Sequence, residues 1–404
     1  MSNLALDFLL SPEVRQFIAE NLYESPAKLM LSSSPFSKAQ MTWIVGQIQA
    51  RRKAQSKLPE WLTHPQIILP ATLSIEQSSS ELTAQYKANY IAQQAPKNQA
   101  LVDLTGGFGV DTYYFAKKFA EVAYVEQNQD LVQQVKHNFG EFKVKNVTFY
   151  HQMAAHFLQQ QIAKQDVIYL DPARRDEQKN KIFRLEDCTP NVLTLLPTLW
   201  TKTRQVFLKL APMLDIDLAV RQLGLVKEVL VVAVNNECKE LLFLLDENPV
   251  TSTKIKTVNL FSGKPAQEFA FSREEETQAQ VHFSEPQGYL YEPNVALLKA
   301  GAFKMVAQRF GVAKLHQHSH LYTSDTFHAH FPGRIFKIKS VCKYAKKEIR
   351  KVISEPKANI TARNFPDSVA TIRKKLGIKE GGTQYLFFTQ TLAHKALAII
   401  TEKA

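Results

Sequence analysis

The 404-residue chain has only three cysteines, Cys188, Cys238 and Cys342, which lie far apart and form no CxxC pair. That scarcity excludes a disulfide framework and a zinc knuckle and fits a reducing, cytoplasmic setting. No apolar run reaches the roughly 18 residues of a spanning helix, so no membrane association is expected. The N-terminus, Met1-Ser2-Asn3-Leu4-Ala5-Leu6-Asp7, has no basic region ahead of its apolar residues and reads as no secretory signal. Internal repeats and low-complexity tracts are missing as well. What is left is an ordinary globular composition, 45% hydrophobic and 22% charged. The length exceeds one ordinary core, so two or three domains are expected.

Negative charge is short at one end. Residues 330–404 hold 16 Lys and Arg against 5 Asp and Glu, most of the net +12, while the rest is balanced at 34 against 33. Phosphate neutralisation drives nucleic-acid binding, so a basic terminal segment reads as an RNA-docking module; a solvated basic face is the plainer reading.

Residues 1–98 read as helical. Ser11-Pro12 opens one helix, and Met41, Ile44, Val45 and Ile48 recur at helical spacing in a second. Ser80 opens a third, carrying Leu82, Tyr86 and Tyr90. Residues 99–250 alternate apolar runs with helical stretches: Ala100–Leu104, Glu121–Val125, Val147–Tyr150, Val167–Leu170, Gln205–Leu210, Val229–Val234 and Glu240–Leu245. That alternation predicts an α/β domain with a mostly parallel sheet covered on both faces. Residues 251–330 begin as a polar linker. They and 331–404 read as small α+β units, with a basic helix over Ser340–Ile353 and a strand over Gln384–Thr391.

The first run ends in Asp103-Leu104-Thr105-Gly106-Gly107-Phe108-Gly109-Val110-Asp111, a strand, glycine turn and helix start. Such a turn presents bare backbone and a helix N-terminus to a ligand. A dinucleotide site would want a third glycine where Thr112 stands, and a P-loop would want a Lys-Ser/Thr pair that is missing. An S-adenosylmethionine site fits better. Asp103 ends the first strand, the glycines let the methionine portion pass, and Glu126, ending the second strand, can accept from both ribose hydroxyls. The expected cofactor residues are Asp103, Thr105, Gly106, Gly107, Gly109, Asp111, Glu126 and Gln152. At the third strand end, Gln152-Met153-Ala154 lacks the acid that often receives the adenine amine, which leaves that contact to Gln152 or to backbone groups.

The fourth run ends Asp171-Pro172-Ala173-Arg174-Arg175. An acid followed by proline there faces the transferable methyl, and a carboxylate can accept from a target NH2 and orient its lone pair. Asp171 and Pro172 are the expected catalytic pair. Arg174 and Arg175, which can grip phosphate or lie on a base, are the expected substrate contacts, together with Lys346, Lys347 and Arg350 of the basic segment. Pyrimidine C5 methylation needs a cysteine nucleophile. Ala211-Pro212-Met213 offers none after the fifth run, Cys188 reads as a buried thiol, and Cys238, in Asn235-Asn236-Glu237-Cys238-Lys239, is kept as the remaining nucleophile candidate. His316, His318, His320, His328 and His330 resemble a metal box but lack supporting carboxylates or cysteines; no metal is expected, and an exposed strand or an RNA-contacting edge is preferred.

As a whole, the chain resembles the bacterial class I S-adenosylmethionine-dependent methyltransferases with a C-terminal THUMP-like domain. The matching marks begin with Gln47-Ile48-Gln49-Ala50-Arg51-Arg52-Lys53-Ala54, Lys57-Leu58-Pro59-Glu60-Trp61 and the stretch from Glu76 to Lys87. They continue through the glycine turn, Asp171 to Arg175, Tyr291-Glu292-Pro293 and Ala362-Arg363-Asn364-Phe365-Pro366. The resemblance implies a helical N-terminal domain, a Rossmann-like methyltransferase sheet, and ferredoxin-like and THUMP-like α+β domains. It implies S-adenosyl-L-methionine as cofactor and RNA, tRNA or rRNA, as partner; a role for Ser79-Ser80-Glu81 in capping the cofactor pocket rests on it alone. The expected activity is methyl transfer to a base nitrogen of RNA. An RNA-binding protein with an inactive methyltransferase fold, and a methyltransferase acting on a small molecule or protein, remain open alternatives.

Overall fold

The computed structural model describes residues 3–70, 72–95, 99–160, 164–174 and 184–404; of residues 3, 4, 73 and 174 it describes the backbone. The chain divides into two compact units, Met1–Lys227 with Leu241–Val250, and Glu228–Glu240 with Thr251–Ala404.

The first unit opens with helices. Ser37 and Ser80 each close a capping box on the helices Lys38–Ala54 and Glu81–Gln94, satisfying backbone donors that a helix start leaves orphaned. Ser11 stands at the expected N-cap but makes no side-chain cap bond. Met41, Ile44, Val45 and Ile48 face a core with Leu9, Val14, Ile18 and Leu29, as their spacing predicts. In Glu81–Gln94 the buried stripe overlaps the predicted one only in part: Tyr90 is buried as its spacing predicts, together with Thr83, Ala84, Lys87, Ala88 and Ile91, while Leu82 and Tyr86 lie at the edge.

Four parallel strands carry the site: β1 (Ala100–Asp103), β2 (Glu121–Glu126), β3 (Val147–His151) and β4 (Val167–Leu170). The sheet runs β3-β2-β1-β4, then Gln205–Leu210, then the antiparallel residues Leu241–Asp246. Order reverses on either side of β1, so the carboxyl ends of β1 and its neighbours β2 and β4 border a crevice. β4 is buried along its length, and its run lacks polar alternation for that reason.

In the second unit, Val226–Val234 from Glu228 onward pairs in parallel with Lys254–Phe261, which forms a hairpin with Lys264–Ser272. That hairpin occupies the stretch read as a linker. Its buried Ile255, Val258, Leu260, Phe269 and Phe271 are diluted in sequence by polar neighbours, among them the buried Thr257 and Asn259 and the exposed Lys254 and Glu268. A seven-stranded sheet follows, in the order Ala313–Lys314, Tyr322–Ser324, Tyr289–Pro293, Gly333–Lys343, Leu397–Lys403, Tyr385–Thr389, Asn359–Ala362. Gly333–Lys343 pairs with Tyr289–Pro293 through its first half and with Leu397–Lys403 through its second, so one sheet crosses residue 331. The expected helix over Ser340–Ile353 is shorter: Ser340–Lys343 continue the strand, and the helix is Lys346–Val352. Two-residue alternation outweighs helix propensity there, because the strand has a partner along that length.

Candidate active site in the first unit

The turn after β1 is closed by its own backbone. Gly106 N–H donates to the Val125 carbonyl (2.9 Å) and Gly109 N–H to that of Gly106 (2.8 Å). A Cβ on Gly106 would lie 2.2 Å from the Tyr124 ring, whose hydroxyl donates to the Gly107 carbonyl at 2.6 Å. Gly109 has φ +77° and starts the helix Val110–Ala116; a Cβ there would meet Val135 at 2.6 Å. These two glycines are required sterically. The turn also rests on the N-terminal helical region: Phe108 packs on Trp61 (5.1 Å between centroids), and Trp61 packs on Tyr113 and Phe142. The backbone N–H groups of Glu60 and Trp61 are held by Glu81. The Lys57–Trp61 motif is thus a brace beneath the turn.

Glu126 lies beside the turn. Gly107 N–H donates to its Oε2 (3.0 Å) and Asn128 N–H to its Oε1 (2.8 Å). Gln152 N–H donates to the Glu126 carbonyl (3.1 Å), so the ends of β2 and β3 are tied together. The Gln152 side chain donates to Gln160, and its Oε1 is buried without a hydrogen-bond partner.

Asp103 and Asp111 point into the fold. Asp103 is buried and accepts from Thr105 N–H (3.1 Å) and the Thr112 hydroxyl (2.6 Å). Thr112, noted in sequence for not being glycine, is the residue that holds Asp103. Burial, with Asp111 and Asp171 nearby, pushes the Asp103 carboxyl up to about 7. The native state therefore keeps a proton that the unfolded chain, with a carboxyl near pH 4, has released. This contribution to stability is full below about pH 4, falls as pH rises toward 7, and is lost above it. Melting temperatures of wild type and Asp103→Asn should diverge between pH 5 and 8, the variant losing the downward slope. The difference between the two proteins isolates Asp103 from the histidines, and parallel curves would refute the assignment.

Asp111 accepts from the Ser79 hydroxyl and the Tyr169 hydroxyl, each at 2.9 Å, and pairs with Lys87 at 3.1 Å. Lys87 is fully buried and also donates to Ser79 (2.7 Å). Burial works to raise the Asp111 carboxyl, but the ammonium groups of Lys87 and then Lys209 outweigh it and hold the group low. Lys209, in the strand Gln205–Leu210, donates to Asp171 Oδ2. Asp171 N–H in turn donates to the Thr105 hydroxyl (2.5 Å). The structure thus brings Asp103, Thr105, Asp111 and Asp171 into one charged network whose two lysines the sequence reading had not singled out. The legible signal was a lysine in the apolar stripe of a helix and another inside the run Val206-Phe207-Leu208-Lys209-Leu210.

Pro172 is buried beside Asp171. Arg174 lies in a short ladder, opposite Cys188; Arg175 falls outside the described residues. Cys188 is buried, and burial with Asp187 and Asp171 pushes its thiol to about 11, which does not suit a nucleophile. Burial raises Cys238 to about 11 as well. Lys346, Lys347 and Arg350 belong to the second unit, exposed on Lys346–Val352, where with Lys351 they line a shallow depression. The histidines do not share a strand. His316 and His318 lie in a turn, and His316 Nδ1 accepts from His318 N–H and pairs with Asn364. His320 stacks on Phe303 (3.8 Å), and burial pushes it down to about 4.

Comparison with known proteins agrees with this architecture. A ferredoxin-like domain family matches residues 289–332 and a THUMP domain-like family matches 333–403. An uncharacterized RNA methyltransferase of Mycoplasma mobile is 31% identical over 108 residues, 27% of this chain; the chain spans only 30% of that relative's length. A crystal structure from Porphyromonas gingivalis W83, described as a candidate methyltransferase, is 31% identical, with a TM-score of 0.86 and 98% of both chains covered. Likeness on that scale, over a methyltransferase sheet followed by these two modules, places the chain in the bacterial class I S-adenosylmethionine-dependent methyltransferase family with a C-terminal THUMP-like domain.

Proposed function

We propose that the protein transfers the methyl group of S-adenosyl-L-methionine to a base nitrogen of RNA, tRNA or rRNA. The observation that carries the reading is the joining of the glycine turn to Asp171 through Thr105, which sets a cofactor cradle and a polar acceptor side by side. The residues fit the cofactor. Glu126 spends one lone pair of each oxygen on the backbone and has others to accept ribose hydroxyls. The buried, unpartnered Oε1 of Gln152 is a ready acceptor for the adenine amine, doing what an acid does elsewhere. Thr105, Gly106, Gly107 and Gly109 shape the turn, while Asp103 and Asp111 act from beneath it.

S-adenosylmethionine supplies an electrophilic methyl on a sulfonium. The chain's task is to orient the acceptor nitrogen. Asp171 accepts from the target amine; Lys209 occupies its Oδ2, so the amine falls to Oδ1. Pro172 stiffens the strand end, and Arg174, Arg175, Lys346, Lys347 and Arg350 supply cationic contacts to RNA. A cytoplasmic location accords with such a substrate.

Calorimetry with S-adenosylmethionine should show saturable binding at tens of micromolar. No heat at that concentration would favour an RNA-binding protein with an inactive fold. Mass spectrometry of RNA nucleosides from cells lacking the gene should then show one methylated base missing; an unchanged profile would favour a small-molecule or protein substrate.

A further inference from the structure

Two motifs lie outside the first unit, Tyr291-Glu292-Pro293 and Ala362-Arg363-Asn364-Phe365-Pro366. In the second unit they meet. Glu292 and Arg334 are direct cross-strand partners. Arg334 Nε donates to Glu292 Oε2 at 2.8 Å, and its Nη2 donates to the same oxygen. Arg363, just past the strand Asn359–Ala362, donates from Nη2 to the other oxygen at 3.2 Å. The Glu292 side chain is 5% exposed, whereas those of Arg334 and Arg363 are 43% and 38% exposed.

That asymmetry is informative. A tie between strands needs one guanidinium per carboxylate, and burying a carboxylate is costly. Here one buried anion holds two cations that face water, leaving an excess positive charge outside. The contacts to Glu292 use two of the five N–H groups of Arg334 and one of those of Arg363. The planar forks are fixed in direction, so little side-chain entropy is lost when they receive an anion. The surroundings are basic: Asn364 holds His316, and Lys314 and His318 lie close enough, with Arg363, to bear on His320.

We infer that Arg334 and Arg363, aimed by the buried Glu292, form a clamp for a phosphodiester of the RNA substrate, distinct from the basic helix Lys346–Val352. The inference rests on the RNA reading above but not on methyl transfer. The test uses the full chain, bulk bacterial tRNA as probe, and fluorescence anisotropy over a series of salt concentrations. The triple substitution Glu292→Gln, Arg334→Gln, Arg363→Gln removes the cations without stranding a buried charge. It should weaken tRNA binding about ten-fold and flatten the plot of log Kd against log salt by about 0.7 to 0.9, the signature of one lost phosphate contact. Unchanged affinity and slope in a folded variant would overturn the clamp and leave a purely structural tie. Wild-type protein that binds no tRNA at low salt would instead sink the RNA reading, and the clamp with it. If the triple variant does not fold, phenylglyoxal labelling of the wild type decides: tRNA should protect Arg334 and Arg363 several-fold, and equal labelling with and without tRNA would reject the proposal.

Discussion

Asp171→Asn should lower the rate of the proposed methyl transfer by about a thousand-fold, near 4 kcal/mol of barrier, while cofactor affinity should stay within about two-fold. The split follows from the geometry. The Asp171 backbone N–H, which the substitution keeps, is the group that binds Thr105 and so touches the cofactor turn. Among the described residues, the side chain accepts from Lys209, and the proposal assigns its second oxygen to the amine of the target base. Asparagine retains the size but replaces one acceptor oxygen with a donor, so the side chain can no longer accept from both Lys209 and an incoming NH2. Orientation of the nitrogen is lost, and orientation is most of what this site offers. Single-turnover methylation of RNA, with calorimetry on S-adenosylmethionine, separates the two effects. Activity within ten-fold of wild type would remove Asp171 from the catalytic role, and a parallel loss of cofactor affinity would move it to the cofactor side.

Much of this site is legible in the sequence. The seven apolar runs each became a strand, because a sheet covered on both faces leaves apolar stretches bounded by turns. The glycine turn was legible because Gly106 and Gly109 answer steric demands that few residues can meet. Charge compensation was not. Lys87 stands twelve residues before the catalytic domain as read from sequence, and nothing in its neighbours says that it pairs with Asp111 across two helices. Asp103, ending the first strand, and Asp111, starting the helix after the turn, are expected cofactor contacts. Their hydrogen bonds to Thr105, Thr112, Ser79 and Tyr169 show them holding the turn from inside. The hairpin over Lys254–Ser272 was hidden by exposed charges on one face, and the histidines were misread as a strand because an alternating spelling mimics period two when a turn is the true cause. Non-local pairing lies behind the charge network, and a single sequence does not carry it.

Lys87→Met should destabilise the first unit by about 3 to 5 kcal/mol, the usual cost of leaving one member of a buried ion pair behind. Lys87 is fully buried, and Asp111 is nearly so. Without the ammonium, Asp111 keeps Ser79 and Tyr169 as donors but loses its nearest compensating charge, with only the more distant field of Lys209 to offset burial. Its carboxyl then rises, and the protein either protonates it or opens the helix Glu81–Gln94 from the helix Val110–Ala116. Asp111→Asn in the same chain removes the stranded charge. The double variant should recover more than half of the lost stability, a coupling that a double-mutant cycle reads directly. All three tryptophans, Trp43, Trp61 and Trp200, lie in the first unit, so their fluorescence during urea unfolding reports that unit without interference from the second. A single variant as stable as wild type would show that the pair contributes nothing, and a double variant no better than the single would show that packing around Lys87, not charge, is what holds the two helices. Recovery on the expected scale would identify a basic residue of the N-terminal helical region as the counter-ion of an acid at the start of the helix that follows the cofactor turn. It would also explain why these helices accompany the catalytic sheet: the sheet's own strands supply Lys209, and the second charge needed to keep Asp111 ionised comes from outside it.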